Sequence, residues 1–138
     1  MEFADSGTLY DRLKKKDKFN EKIVAKYMAC ILKAVNHLHT RYPKIIHRDL
    51  KPENILIHQG KLIISDFGWS SQLKDTRTTF CGTYEYLSPE MINGIEYDEK
   101  IDIWSLGVIM FELLTGRTPF KPTNTHNMHI RQIQKIIE

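Results

Sequence analysis

Between Lys100 and Thr115 the apolar residues Ile101, Ile103, Trp104, Leu106, Val108, Ile109, Phe111, Leu113 and Leu114 leave no polar helical face. A helix that is apolar all round is a buried helix, so this run is expected at the centre of the domain, with Gly116 as its stop signal. Asp102 stands in its first turn. A carboxylate taken out of water must find hydrogen-bond donors or a counter-charge, so Asp102 calls for partners from elsewhere in the chain. Asp102, Ser105 and Glu112 also make the run too polar, and it is too short, to span a bilayer.

The neighbouring segments read differently. Val24, Met28, Ile31, Val35 and Leu38 recur at three- and four-residue steps. They predict an amphipathic helix from Asn20 to Tyr42, with Lys22, Lys26 and Lys33 on its outer face. Asn20 suits the N-cap and Pro43 stops the helix. Cys30 falls inside this apolar pattern and is expected to be a small core residue. A shorter helix covers Thr8 to Lys15. Ile55-Leu56-Ile57 and Leu62-Ile63-Ile64 are β-rich runs joined by residues 58–61, the pattern of a hairpin. Asp66 to Pro89 is polar and Thr-rich with neither period; a stretch this long inside a compact domain is usually functional. A last amphipathic helix is expected over residues 127–137. The fold class is therefore mainly α with a small β-hairpin.

Composition adds exclusions. With 138 residues, 41% hydrophobic and 27% charged, the chain suits one domain with a core. A net charge of +3 is mild, and the Lys14-Lys15-Lys16 run reads as a solvated face, so no nucleic-acid partner is expected. Cys30 and Cys81 lie far apart without CxxC spacing, which suggests neither a disulfide framework nor a zinc site. Met1-Glu2-Phe3-Ala4-Asp5 does not look like a signal peptide. A soluble intracellular protein without a membrane partner is the expectation.

The chemistry is concentrated in His47-Arg48-Asp49-Leu50-Lys51-Pro52-Glu53-Asn54, followed at close range by Asp66-Phe67-Gly68. The first motif resembles the HRDLxxxN catalytic loop of protein kinases, and the phosphoryl transfer that this resemblance implies needs an oriented hydroxyl nucleophile and neutralisation of charge on the phosphate oxygens. Asp49 can accept the hydroxyl proton, and Lys51 can reach the transferred phosphate. Asn54 and Asp66 offer the hard oxygen ligands that Mg²⁺ prefers. Pro52 turns Lys51 away from helical geometry, leaving Asp49 and Asn54 on an extended loop.

These two motifs, with Thr83-Tyr84-Glu85-Tyr86-Leu87-Ser88-Pro89-Glu90 and the run Asp102–Val108, resemble the protein kinases. Lys51 together with Thr83 resembles their Ser/Thr branch. Asp66-Phe67-Gly68-Trp69-Ser70, Arg77-Thr78-Thr79-Phe80-Cys81-Gly82-Thr83 and Pro89-Glu90-Met91-Ile92 are similar to the Aurora group of mitotic kinases. Ser88, where Ala or Pro is usual, and Thr76, where a second Arg is usual, depart from the group's pattern.

The resemblance implies a kinase C-terminal lobe spanning residues 1–138: a hinge over 1–7, a helical lobe over 8–138, a catalytic loop over 47–54 and an activation segment over 66–90. It implies ATP and Mg²⁺ as cofactors. Glu2 and Ala4 would bond the adenine edge through their backbones, and Leu56 would lie under the adenine ring, although a plain core position for Leu56 fits the residues as well. Thr79, or its neighbour Thr78, is the implied regulatory phosphosite, with Arg48 and Arg77 as phosphate partners. His47, Thr83, Glu90 and Asp102 are implied supports, Asp102 by holding the catalytic loop through its backbone N–H groups. Implied partners are protein substrates, with Glu53 suggesting Arg near the phosphosite, and mitotic targeting subunits. The implied location is cytoplasm or nucleus, at the spindle or centrosome.

The chain shows no Gly-rich GxGxxG loop, no VAIK-type Lys and no pairing Glu, and it stops short of the family's last helices. It is expected to be inactive alone, as a truncated lobe lacking the N-terminal one. Two functions compete: ATP-dependent Ser/Thr phosphorylation by a larger protein containing this sequence, or a non-catalytic module that binds kinase substrates or partners.

Overall fold

The computed structural model describes residues 6–66, 71–72 and 84–120. Helix α1 (Leu9–Lys16) opens on Thr8, whose hydroxyl accepts from the Asp11 N–H while the Asp11 carboxylate accepts from the Thr8 N–H. This reciprocal cap satisfies two donors that the first turn leaves open. Helix α2 (Glu21–His39) starts on Asn20, whose side chain accepts from Ile23 N–H. It stops at His39 and does not run on to Tyr42, because Thr40 turns its hydroxyl back onto the Asn36 carbonyl and closes the last turn.

Strand β1 (Ile45–Ile46) leads into the loop that carries the His47–Asn54 motif, which ends in a 3-10 turn over Pro52–Asn54. Strands β2 (Ile55–His58) and β3 (Lys61–Ile64) then form the expected hairpin. Gln59 and Gly60, at φ 48° and 75°, make the two-residue turn. Positive φ at both positions matches the right-handed twist of the flanking strands. Strand β4 (Ser71–Gln72) pairs antiparallel with β1, inside the stretch read as having no period. Two residues are too few to announce themselves by alternation. A 3-10 turn (Tyr84–Tyr86), the short helix α3 (Pro89–Ile92) and helix α4 (Lys100–Thr115) complete the described elements. The mainly helical class with one small hairpin holds.

The core lies where α1, α2, the hairpin and α4 meet. Leu9, Leu13, Val24, Met28, Ile31, Val35, Leu50, Ile55, Ile109 and Leu113 are all buried in it. Lys22, Lys26 and Lys33 point outward as expected. Cys30 is exposed, contrary to its core assignment. It is one residue off the Met28–Ile31–Val35 stripe, about 100° round the helix from Ile31.

Helix α4 also departs from expectation. One side is sunk in the core through Asp102, Ser105, Leu106, Ile109, Glu112 and Leu113. Ile103, Met110 and Phe111 remain 49%, 45% and 38% exposed. The described residues cover one side of this helix, and the other is an apolar groove edged by Trp104 stacked on Phe120. Apolar periodicity shows that a helix can be covered on all sides; it does not show which neighbour covers each.

Gly116 ends α4 at φ 79°, and a Cβ there would lie 2.5 Å from the Asp17 carbonyl oxygen. The end of α4 and the end of α1 therefore approach more closely than any side chain permits.

Candidate active site

The anchor of the site is Asp102. Its Oδ2 accepts from the His47 N–H at 2.9 Å and its Oδ1 from the Arg48 N–H at 2.9 Å. His39 Nε2, at the end of α2, lies 2.7 Å from the same Oδ2. The expectation that a buried carboxylate must find donors is met, since Asp102 is 1% exposed and holds three of them. A carboxylate only accepts, so His39 Nε2 carries the proton. His39 escaped the sequence reading: a histidine in the last turn of an amphipathic helix carries no sign of a partner 63 positions away.

His47 is fully buried. Its Nδ1 accepts from the Asp49 N–H at 3.3 Å, and its Nε2 meets the Ser65 carbonyl oxygen at 3.0 Å. The first bond makes Nε2 the donor nitrogen in the second. One ring thus ties the loop over residues 47–54 to the residue immediately before Asp66. Arg48 takes φ 71°, and its Nη1 donates to Tyr97 Oη at 3.1 Å.

Asp49 is 7% exposed. Its Oδ2 lies 3.1 Å from Lys51 Nζ and accepts from Asn54 Nδ2 at 3.0 Å. Asn54 Nδ2 also donates to the Asp49 carbonyl at 2.8 Å. The Asn54 backbone carbonyl takes both the N–H and the hydroxyl of Ser65, at 2.9 and 3.1 Å. Asp49, Lys51 and Asn54 therefore form one cluster, with Asp66 beginning one residue beyond Ser65. Asp66 is exposed and takes φ 61°.

With both bonds of its Nδ2 directed at Asp49, Asn54 keeps its side-chain oxygen for another partner. That oxygen and the exposed Asp66 carboxylate are hard donors on adjoining strands of chain. Among the described residues no group of three or more His, Cys, Asp or Glu forms a metal cage. Mg²⁺ is commonly held by one or two carboxylates together with phosphates and water, and this donor set fits that pattern.

Leu56 is half-buried on the hairpin face turned away from the core, directly across from Ile63, which is 42% exposed. The chain at Thr8 bridges to it, and Ser6 and Gly7 bond the Ile57 backbone. Leu56 is not among the fully buried core residues. Glu90 lies exposed in the first turn of α3. Ser88, the departure from the usual Ala, is buried and caps α3 by accepting from the Met91 N–H. Glu2, Ala4, Arg77, Thr78, Thr79 and Thr83 lie outside the described residues, as does the helix expected over residues 127–137.

A second feature adjoins the loop. Glu53, Glu85, Tyr86 and Glu112 line a cavity of about 420 Å³ together with Asp17 and Arg117. Tyr86 Oη donates to Glu112 Oε2 at 2.6 Å. One Glu53 carboxylate oxygen, Oε2, is buried without a hydrogen-bond partner among the described residues. Burial raises the Glu112 carboxyl above its ordinary range; the Tyr86 hydrogen bond opposes this, and the charges of Glu53 and Glu85 add to it. Burial likewise raises the Tyr86 phenol, with the Glu112 bond and charge adding to it. Glu112 was legible in the sequence only as a polar interruption of α4.

A loop carboxylate braced by a lysine and an asparagine, its loop held through backbone N–H groups by the Asp102 side chain of α4 and followed by an exposed Asp, is the arrangement that the resemblance to protein kinases implied. The protein kinase domain matches the chain over residues 1–138. An Aurora kinase of Schizosaccharomyces pombe is 44% identical over 138 residues, 99% of this chain and 38% of that protein. Serine/threonine-protein kinase Aurora-2 of Arabidopsis thaliana is 43% identical over 135 residues, 97% of this chain and 47% of that protein. An Aurora kinase of Dictyostelium discoideum is 45% identical over 130 residues, 93% of this chain and 33% of that protein. The chain belongs to the protein kinase family and, within it, to the Aurora group of Ser/Thr kinases. It spans between about a third and a half of the length of these relatives.

Proposed function

We propose that this chain is the catalytic-loop portion of a kinase that transfers the γ-phosphoryl group of ATP to Ser or Thr hydroxyls of proteins. The observation that carries the reading is the Asp49 carboxylate held between Lys51 and Asn54, 3.1 and 3.0 Å away. The substrate hydroxyl oxygen forms a bond to the γ-phosphorus as the bond to the β-phosphate oxygen breaks. The hydroxyl proton passes to Asp49, and ADP leaves. Lys51 offers positive charge beside the base, where it favours the developing negative charge on the phosphoryl oxygens. Asn54 and Asp66 would hold Mg²⁺, whose chemistry is to neutralise phosphate charge. Glu2 and Ala4 would meet the adenine edge, and the outward face at Leu56 and Ile63 would carry the ring.

The carboxylates of Glu53 and Glu112 suit a basic side chain, so the substrate class is proteins with Arg near the phosphorylated residue. A buried, unpartnered carboxylate oxygen is costly until a cation meets it, and the Glu53 oxygen supports this reading. Phosphate on Thr79, or on Thr78, would pair with Arg48 and Arg77 to order residues 66–90, with Thr83 and Glu90 as supports. The Aurora likeness extends the proposal to a mitotic role with targeting subunits, in cytoplasm or nucleus at the spindle or centrosome. Among the described residues no helix is long and apolar enough to cross a membrane.

The domain reading remains a hinge over 1–7 and a helical lobe over 8–138. Phosphorylation is assigned to a protein that carries these residues beside an ATP-binding lobe, and the chain alone is expected to be inactive. Asp49→Asn in the two-lobed protein is the test. A rate loss of about 10²–10⁴ is expected for removing a general base; an unchanged rate would refute the assignment. Thr79→Ala retaining full activity would remove the regulatory part alone.

A further inference from the structure

Arg48 is tied down at both ends by different parts of the chain. Its N–H donates to Asp102 Oδ1 at 2.9 Å, in α4. Its Nη1 donates to Tyr97 Oη at 3.1 Å, in the stretch between α3 and α4. The two ties meet on a residue whose φ is 71°. A non-glycine residue is disfavoured there by about 1–2 kcal/mol, and such a conformation persists where its surroundings over-determine it.

The residue so constrained comes immediately before Asp49. The dihedral angles of Arg48 therefore set the direction in which the chain delivers Asp49 toward Lys51 and Asn54. Arg48 is 8% exposed, so water is a poor substitute for an acceptor at its guanidinium. Tyr97 is itself a fixed support. Its side chain packs against the buried cluster of Ile46, Leu87, Met91, Ile92 and Ile101. Ile46 stands two residues before Arg48, so the same cluster packs under both the loop and the phenol that holds it.

We propose that Tyr97 is a positioning residue for the catalytic loop: its hydroxyl, by holding the Arg48 guanidinium, keeps Arg48 in the left-handed conformation that presents Asp49. This rests on the reading of Asp49 as the phosphotransfer base. Tyr97 acts through Arg48. It also makes the chain from α3 to α4 part of the active-site support, because a shift of that stretch withdraws one acceptor from Arg48.

Tyr97→Phe tests the proposal, since it keeps the ring and its packing and removes only the oxygen. In the two-lobed protein kcat falls about tenfold, the scale of one hydrogen bond to a charged group. KM for ATP stays at its wild-type value. In the 138-residue chain, amide hydrogen exchange at Arg48 and Asp49 quickens by about tenfold, while Leu13 in α1 is unchanged. Wild-type kcat together with wild-type exchange at Arg48 and Asp49 overturns the proposal. So does a lowered melting temperature with a raised KM and unchanged kcat, the mark of a purely structural tyrosine. Asp49→Asn run in parallel separates the two failures. If it abolishes activity while Tyr97→Phe leaves kcat intact, the Tyr97 proposal alone falls. If Asp49→Asn is fully active, the kinase assignment falls, and the exchange rates still decide whether Tyr97 holds Arg48.

Discussion

His39 Nε2 and Asp102 Oδ2 lie 2.7 Å apart, joining the last turn of α2 to the first turn of α4. The pair closes a clamp around the start of the catalytic loop, because the same carboxylate holds the His47 and Arg48 amides. A second, more exposed tie runs beside it, Lys44 Nζ to Glu99 Oε1 at 2.6 Å. The loop over residues 47–54 is thus fixed by its backbone, which leaves the side chains of Asp49, Lys51 and Asn54 to meet one another.

Removing the His39 donor is expected to destabilise the chain. His39→Leu leaves a buried carboxylate one hydrogen bond short and costs about 1–3 kcal/mol. His39→Gln places an N–H near the position of Nε2 and recovers most of the loss. Asp102→Ala strips two buried amides of their acceptor as well, and its cost exceeds that of His39→Leu. Urea unfolding of the variants measures all of this; equal midpoints for Leu and Gln at residue 39 would contradict it.

Glu112 predicts a pH-dependent trade between stability and recognition. Burial raises its carboxyl above the ordinary 4.5. Below that value Glu112 is protonated in both folded and unfolded states. As pH rises through the higher folded value, the buried group must ionise beside Glu53 and Glu85, and its contribution to stability is lost. Glu112→Gln is therefore near neutral in acid and stabilising at neutral pH, as unfolding midpoints at the two conditions will show. In the two-lobed protein the same change weakens Arg-containing peptide substrates and spares peptides without Arg. An unchanged preference for Arg would remove Glu112 from the proposed recognition site.

Gly116→Ala is expected to be among the most damaging small substitutions in the chain. The left-handed conformation disfavours Ala by about 1 kcal/mol or more. The new Cβ would also stand 2.5 Å from the Asp17 carbonyl, a backbone atom that cannot rotate away. Gly60, also at positive φ, has open space around it and provides the control. Thermal melts should rank Gly116→Ala well below Gly60→Ala; equal melting temperatures would show that the ends of α1 and α4 separate without cost.

Activity of the chain alone tests whether residues 47–54 need an ATP-binding lobe beside them. The 138 residues alone are expected to show no Mg-ATP-dependent phosphorylation of a basic protein substrate. Robust activity that disappears in Asp49→Asn would overturn this expectation.

Much of the architecture was legible before any coordinates, because periodicity and caps are local properties. The Val24–Met28–Ile31–Val35 stripe, the Asn20 cap, the hairpin around Gly60 and the stop at Gly116 all stand where the residues put them. The motif from His47 to Asn54 carried the chemistry because its members lie within eight positions, and a loop that short brings them together whatever the rest of the fold does.

What stayed hidden depends on contacts between distant parts of the chain. Cys30 faces solvent and the described residues leave one side of α4 uncovered, since apolar character does not specify which neighbours a helix meets. His39, Tyr97 and Glu112 carry no local signature, and each gains its role from a partner 63, 49 or 26 positions away. The residues could state that Asp102 needed donors, because burying a carboxylate unpaired is too costly. Naming all three donors required the fold that brings α2, the catalytic loop and α4 to one point.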